Sequence, residues 1–168
     1  KEKTNLIKVF DNSISEYTGI PETVTAIGER AFKDCSNLSK VNLPSGLTSI
    51  GDDAFCNCEK LALSAFPDNL KYVGARAFLN CGSIMVNCSP SPLSFIGEQA
   101  FANCKSITDF TLSNDANLGE GVFKGCTALN TVSIFMLKNI PNSLFENCTA
   151  LSSVTTPADL ASVGNRAF

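Results

Sequence analysis

The sequence predicts a repeat solenoid, in which each repeat forms one coil of the chain and packs against the next coil. Two observations predict it. Phenylalanines recur at intervals of 23, 23, 23, 22, 22 and 23 residues, at Phe32, Phe55, Phe78, Phe101, Phe123, Phe145 and Phe168. Three of them stand in the phrase Ile-Gly-x-x-Ala-Phe-x-x-Cys, at residues 27–35, 50–58 and 96–104, and the others stand in variants of it. A fixed period in this range is typical of solenoids, whose repeats bury their apolar faces against one another.

Within each repeat, a short apolar strand is followed by a residue that ends it. In the first repeat, Leu38, Val41 and Leu43 are the apolar positions of a Leu-x-x-Leu-x-Leu segment, and the end of the segment alternates as a β-strand does. Pro44 then ends the strand, because proline has no N–H to donate to a β-ladder. The pattern therefore predicts one short strand of this kind in each coil.

The rest of each repeat is predicted to contain a turn and a compact segment. Gly28 and its counterparts supply permissive backbone for the turn, and the sixth repeat departs from this rule with Ile140-Pro141. The segment from Ala31 to Cys35 has room for one or two helical turns at most. A short helix or 3₁₀ segment is therefore predicted on the side of the coil opposite the strand, with the Phe32 ring filling the space between the two walls.

The repeats set the domain boundaries. Six full repeats begin at Ile27, Ile50, Val73, Ile96, Leu118 and Ile140, and we call the corresponding units coils one to six. Residues 27–168 are predicted to form these repeats and the start of a seventh. Residues 1–26 are less regular and predict an N-terminal cap or degenerate repeat, formed either by a hairpin turn at Asp11-Asn12 or by an incomplete coil. The chain stops within a repeat phrase, which predicts a fragment of a longer protein with an open C-terminal edge.

The cysteines are predicted to serve packing more than cross-linking. Six of the eight lie three residues after a repeat phenylalanine: Cys35, Cys58, Cys81, Cys104, Cys126 and Cys148. Equivalent residues of stacked coils are about 4.8 Å apart with parallel side chains, whereas a disulfide needs Cβ atoms about 3.8 Å apart that point towards each other. We therefore expect the six to be small buried apolar residues. Cys56 and Cys88 lie outside this column and are also predicted to be thiols.

Composition argues against several classes of function. The net charge of −3 is wrong for a nucleic-acid-binding protein, which needs a basic stripe. The chain has no histidine, no phosphate-binding loop and no zinc-spaced cysteine pairs, so no enzyme, cofactor or metal site is predicted. The apolar run Ile134–Leu137 is interpreted as buried strand and turn, and it is far shorter than the roughly 18 residues of a membrane span.

The composite motif Ile-Gly-x-x-Ala-Phe-x-x-Cys-x-x-Leu-x-x-Val-x-Leu-Pro resembles that of the BspA-like, or treponemal-type, leucine-rich repeat family over about residues 14–168. The resemblance implies an α/β-type leucine-rich repeat fold: a curved right-handed coil with a parallel sheet of short strands on one face and short helical or 3₁₀ segments on the other. It also implies an extracellular or cell-surface location, adhesion to host or matrix proteins or to another surface protein, and no catalytic residues.

The candidate binding residues are those predicted to point outward from the strand of each repeat, because stacked strands form a continuous surface. They are Lys40, Asn42, Leu63, Ala65, Met85, Val86, Asp109, Thr111, Thr131, Ser133, Ser153 and Thr155. Most are polar, as an exposed sheet face requires. The second and third repeats differ, since they place apolar residues at outward positions and polar residues, such as Ser64, at core positions.

Two interpretations of the second and third repeats remain open. An apolar patch on the sheet face would be a partner-binding site. A one-residue register slip would instead turn Leu63, Val86 and Cys88 inward, and would account for the misplaced polar residues at the same time. Phe66-Pro67 ends the second repeat in normal register, which keeps the patch interpretation open.

Two hypotheses of function follow. In the first, the chain is a non-catalytic protein-binding or adhesion module that uses the strand face and its flanks. In the second, it is a structural spacer or self-associating array with no dedicated ligand, in which the open C-terminal edge mediates the contact.

Overall fold

The chain folds into a parallel β-solenoid of short strands. The computed structural model describes the backbone of Asn5–Leu6 and residues 12–85, 93–112 and 115–168. The strands of this part are β1 (Asn5–Leu6), β2 (Glu16–Tyr17), β3 (Ala26–Ile27), β4 (Lys40–Val41), β5 (Ser49–Ile50), β6 (Tyr72–Val73), β7 (Phe95–Ile96), β8 (Asp109–Leu112), β9 (Asn117–Leu118), β10 (Thr131–Ile134), β11 (Asn139–Ile140), β12 (Ser153–Thr155) and β13 (Ser162–Val163). The fold class predicted from the repeat is confirmed.

The strands form two walls of the solenoid, and every pairing between them is parallel. The first wall, which we call the Ile-Gly wall, holds the strands that precede the repeat glycine. It consists of a six-stranded sheet in the order β1-β3-β5-β6-β7-β9 and a separate pair β11-β13. The second wall, which we call the strand face, holds the strands of the Leu-x-x-Leu-x-Leu segments. It consists of the pair β2-β4 and the three-stranded sheet β8-β10-β12.

A third wall, the phenylalanine wall, contains the segments around the repeat phenylalanines. These segments are successive turns, so the predicted helical or 3₁₀ segments are wrong for the described residues. In the first repeat the amides of Arg30 and Phe32 donate to the carbonyls of Asp52 and Ala54 in the next coil, at 2.9 and 2.7 Å. A helix would use these donors within its own turns. The turns require left-handed backbone at Arg30 (φ 56°) and at Asp34 (φ 64°).

The described part of residues 1–26 continues the solenoid. Strand β1 pairs with β3, and β2 pairs with β4, both in parallel. A hairpin would have paired antiparallel strands, whereas both of these pairings are parallel. The predicted turn residue Asp11 lies outside the described residues, and a capping role for this segment stays a prediction.

The core is a column of stacked phenylalanine rings. Neighbouring repeat phenylalanines have ring centroids 4.9 to 5.9 Å apart, and their interplanar angles are 4 to 27°. Apart from Phe168 at the chain end, these rings are buried. Each ring therefore contacts the equivalent ring above and below it, which makes the column the shared core of all six coils.

A column of cysteines lies beside the phenylalanines, as the sequence predicts. The thiol of Cys58 donates to the carbonyl of Phe32 in the preceding coil at 3.0 Å, and the thiol of Cys81 does the same with Phe55. The same contact recurs at Cys104, Cys126 and Cys148. None of the described cysteines is in a disulfide. The predicted packing role is confirmed for the column, and Cys88 lies outside the described residues.

Asparagine side chains form a shorter polar ladder on the outside of the phenylalanine wall. The Asn57 amide donates to the Asp34 carboxylate at 2.7 Å, Asn80 donates to Asn57 at 2.8 Å, and Asn103 donates to Asn80 at 2.9 Å. All four residues have left-handed backbone, which asparagine and aspartate tolerate better than most residues. Asparagine and aspartate therefore suit this position of the repeat for two reasons. They tolerate the left-handed backbone, and their side chains hydrogen-bond to those of the adjacent coil.

Truncating one ring of the column should be costly. We expect Phe78→Ala to lower the free energy of unfolding by about 3–5 kcal/mol, because it removes a fully buried ring that contacts its neighbours on both sides. Tyr72→Ala is the control, since Tyr72 stacks on Phe95 at the surface and should cost about 1 kcal/mol. Urea denaturation followed by circular dichroism measures both. Equal losses would contradict the central role of the column.

The cysteine column should resist alkylation in the native protein. Burial raises the pKa of the Cys148 thiol to about 11 and raises the pKa of Cys81 and Cys104 well above the ordinary value. Of these three, we expect Cys148 to react first with iodoacetamide, at a rate that rises about tenfold per pH unit below pH 11, because only the thiolate reacts. Peptide mass spectrometry gives the rate at each site, and denatured protein is the control. Fast native labelling of Cys104 would contradict this expectation.

Candidate protein-binding face

The C-terminal half of the strand face presents two polar columns. Strands β8 and β10 pair in register, so that Thr131 lies beside Asp109 and Ser133 lies beside Thr111. Strand β12 extends the columns with Ser153 and Thr155. Along β8 and β10 the outward residues are half-buried and their neighbours are buried, while Ser153 and Thr155 are exposed. The structure thus brings these six predicted residues together on one surface, at the outward positions the sequence predicts.

Hydrogen bonds within this surface hold its charged residue. The Asp109 carboxylate accepts hydrogen bonds from the hydroxyls of Thr131 and Thr108, the latter at 2.8 Å. The bond from Thr131, and next that from Thr108, lowers the pKa of Asp109 below its ordinary value. The carboxylate is therefore ionised at neutral pH and already has two donors within the protein. The surface presents hydroxyl groups around one fixed negative charge.

The N-terminal half of the strand face is shorter. Strand β4 pairs with β2, and Lys40 and Asn42 are exposed beside the buried Val41, as predicted. Beyond β4, the described residues of coils two and three form no strand on this face. Ala65 and Met85 are exposed there, Met85 to 61%. Val86, another predicted site residue, lies outside the described residues.

Leu63 does not point outward. Its side chain is only 7% exposed, whereas Ser64 is exposed, so the predicted outward placement of Leu63 is wrong. The backbone slips by one residue here. The Ala62 amide donates to Ser39, 23 residues earlier, but the Met85 amide donates to Leu63, 22 residues earlier. For Leu63, this is the register slip that the sequence left open as the alternative to an apolar patch, while Val86 and Cys88 lie outside the described residues.

The cause of the slip is the spacing of two apolar residues. Leu63 and Phe66 are three positions apart, and a strand with a side-chain period of two would place them on opposite faces. The Phe66 ring instead packs against the rings of Phe78 and Phe101, with centroids 5.5 and 5.9 Å away. Packing of both the buried Leu63 and the half-buried Phe66 against the core therefore requires an irregular backbone between them.

The interruption leaves a groove beside β4. The groove has a volume of about 520 Å³. Residues that line it include Lys40, Asn42, Ala62, Ser64, Ala65 and Phe66. Its lining thus combines polar side chains, apolar groups, the cation Lys40 and the carboxylate of Glu22. The groove thus offers charged, hydrogen-bonding and apolar contacts.

Two exposed apolar residues were missed by the sequence interpretation. Ile134 and Leu137 are buried as predicted, but Phe135 and Met136 between them are 48% and 51% exposed, directly after β10. The signal in the sequence for this exposure was the length of the apolar run at residues 134–137. A two-residue turn closed by the hydrogen bond from the Leu137 amide to the Ile134 carbonyl, at 3.2 Å, must point its central residues away from the core.

Further chemistry is scarce on the described part of the chain. No group of three or more cysteine, aspartate or glutamate side chains there is placed to bind a metal ion. Over the same residues, no helix has the length and hydrophobicity to cross a lipid bilayer.

A pair of substitutions tests the register slip. We expect Leu63→Lys to lower the free energy of unfolding by more than about 2 kcal/mol, because it buries a charge without a partner. Ala65→Lys, two residues away and exposed, should change it by about 0.5 kcal/mol or less. Chemical denaturation measures both, and tolerance of lysine at position 63 would contradict the inward placement.

Comparisons with known proteins agree with the geometry. The model of the BspA type leucine rich repeat region matches residues 7–130 and 64–168, with six copies. No curated protein matches the chain.

Three solved structures are similar in fold. A leucine rich repeat protein from T. pallidum is 31% identical over 95% of this chain and 77% of its own length, with a TM-score of 0.80. A leucine-rich repeat protein from Eubacterium ventriosum is 27% identical over 92% of this chain and 42% of its own, with a TM-score of 0.75. A leucine rich cell surface protein from Faecalibacterium prausnitzii is 24% identical over 81% of this chain and 52% of its own, with a TM-score of 0.64.

The chain therefore spans only about half the length of two of these three proteins. The family match, by contrast, extends over nearly all of it. The repeated motif, the stacked coils and this match together show that the chain belongs to the BspA-type leucine-rich repeat family.

Proposed function

We propose that the chain is a non-catalytic protein-binding module whose strand face and flanks contact a host or matrix protein, or another surface protein. The observation that supports it best is the form of this face. Two polar columns, formed by Asp109 and five hydroxyl side chains, lie on β8, β10 and β12, and a groove of about 520 Å³ lies beside β4 in the same wall. Together they offer hydrogen-bonding groups and a recess for a partner.

The physical chemistry of the face favours a protein ligand. Serine and threonine hydroxyls can both donate and accept hydrogen bonds, and they are less costly to desolvate than charged groups. The Asp109 carboxylate already accepts hydrogen bonds from Thr131 and Thr108. The groove beside β4 adds the ammonium group of Lys40 to the face. Exposed Met85 and Phe135 add apolar area of the kind that protein interfaces use.

The location proposed for the chain is extracellular or on the cell surface. The family resemblance supports this location, and the contact surface described above fits a protein that meets large partners outside the cell. A module of this kind needs no catalytic group, and we propose none.

Adhesion can be tested with a defined surface. We expect the chain to bind a sensor coated with solubilised basement-membrane proteins, and Thr111→Lys to weaken this binding about tenfold, since the new ammonium group must be desolvated at the contact. Biolayer interferometry measures the affinity. Thermal unfolding should be unchanged, because Thr111 points outward from β8.

Thr127→Lys is the matched control, because Thr127 is exposed in a turn outside the strand face. It should bind like the unsubstituted chain. Equal binding by all three proteins would exclude this face, and absence of binding by the unsubstituted chain would contradict adhesion and favour a spacer role.

A further inference from the structure

The Ile-Gly wall has a gap between coils five and six. Where coils two and three meet on this wall, the amides of Lys71 and Tyr72 donate to the Thr48 carbonyl at 2.9 and 3.2 Å, and the Gly74 amide donates to the Ile50 carbonyl at 2.8 Å. Three equivalent bonds join β5 to β3 and β7 to β6, and two of them join β9 to β7. The six-stranded sheet is built from this pattern and ends at β9.

The corresponding groups of coils five and six are not joined. By position the donors are the amides of Lys138 and Asn139, and the acceptors are the carbonyls of Ala116 and Leu118. Strand β9 pairs with β7, and β11 pairs with β13. Within the described residues, none of these two amides and two carbonyls has a backbone hydrogen-bond partner. The gap thus leaves two carbonyl acceptors on the β9 side and two amide donors on the β11 side without a partner in the adjacent coil.

Pro141 causes the gap. It stands where the other coils have glycine, and it has no N–H to donate. The position also demands close approach to the preceding coil. A Cβ atom at Gly97 or Gly119 would lie 2.4 Å from a backbone nitrogen of that coil, closer than a side chain can come. The proline ring therefore cannot take the place of glycine unless the two coils separate at this corner.

The separation is local, because the same two coils stay joined on the other walls. On the phenylalanine wall, the amides of Gly121 and Phe123 donate to the carbonyls of Asn142 and Leu144, both at 3.0 Å. On the strand face, β10 pairs with β12 over three residues. The gap is therefore a fixed opening in a continuous solenoid.

A cleft of about 450 Å³ occupies the gap, which is within the range of about 300–1,000 Å³ typical of ligand sites. Its floor is apolar, formed by the buried side chains of Ala116, Leu118 and Leu137. Its rim is polar and includes the exposed Asp115 and Lys138. Lys138 forms an ion pair with Asp159 at 3.1 Å, whereas Asp115 takes part in none of the ion pairs of the described residues.

We propose that this cleft binds an extended segment of a partner protein, whose main chain lies along the mouth of the cleft and reaches the open edges of β9 and β11. An extended main chain carries both N–H donors and C=O acceptors. It can therefore donate to the carbonyls of β9 and accept from the amides of β11. An apolar side chain of the bound segment would lie on Leu118 and Leu137, and a basic residue next to it in the segment would face Asp115. This site is on a different wall from the strand face and does not depend on the function proposed for that face.

The test replaces Pro141 by glycine, the residue that the repeat motif has at this position. A library of random octapeptides displayed on yeast is selected on the unsubstituted chain, and the best peptide is synthesised. We expect Pro141→Gly to weaken its binding about tenfold or more, because the coils can then close and form their own hydrogen bonds. Thr111→Lys, on the strand face, should leave the affinity for this peptide unchanged. Failure of the proposal for the cleft can therefore be distinguished from failure of the proposal for the strand face.

Amide exchange measured by NMR reports on the same groups. The amides of Lys138 and Asn139 should exchange rapidly in the unsubstituted chain, and both the peptide and Pro141→Gly should slow them about tenfold or more. A peptide that is N-methylated at the backbone nitrogens facing β9 should lose binding, while methylation at the alternate positions is the control.

Three outcomes would overturn the proposal: a library that yields no peptide sensitive to Pro141→Gly, a bound peptide that leaves both amides unprotected, or equal binding of the two methylated peptides. Concentration-dependent dimerisation that Pro141→Gly abolishes, seen by analytical ultracentrifugation, would also overturn it, since the occupant would then be a second copy of the chain.

Discussion

The distance between neighbouring coils is the constraint on which the rest of the structure depends. Parallel strands hydrogen-bond at about 4.8 Å, and each coil must meet the next at this spacing on three walls at once. The spacing is also close enough for equivalent side chains to contact one another. The phenylalanine rings stack with centroids 4.9 to 5.9 Å apart, and amides such as Asn80 hydrogen-bond to their counterparts. One backbone distance thus explains why the same residue types recur.

The same constraint gives glycine and cysteine their places. Gly97 lies where any side chain would meet the backbone of the preceding coil. Cysteine is small enough to pack beside the ring column, and its thiol reaches the carbonyl of the preceding phenylalanine, as Cys81 reaches Phe55. The column is therefore a packing device with a weak hydrogen bond, and it stabilises the fold without cross-links.

The groove of the strand face and the cleft of the Ile-Gly wall both lie where the constraint is broken. On the strand face, the three-residue spacing of Leu63 and Phe66 forces the backbone out of its ladder and opens the groove beside β4. On the Ile-Gly wall, Pro141 separates coils five and six and opens the cleft beside β9. The solenoid supplies rigidity, and departures from the repeat supply main-chain groups and recesses that a regular solenoid would conceal.

The sequence by itself determined the solenoid, the period, the ring column and the buried cysteines, because these depend on residues that recur at one spacing. It also placed Asp109, Thr131 and their neighbours outward, since the period of a strand assigns each residue a side. Only the tertiary structure decided the direction of Leu63, the turns that replace the predicted helical segments, and the open edges beside Pro141. Each of these depends on competition between a local pattern and contacts with the adjacent coil. Burial of Phe66 between Phe78 and Phe101 outweighs strand alternation, and hydrogen bonds from Arg30 and Phe32 to the next coil outweigh a helical turn.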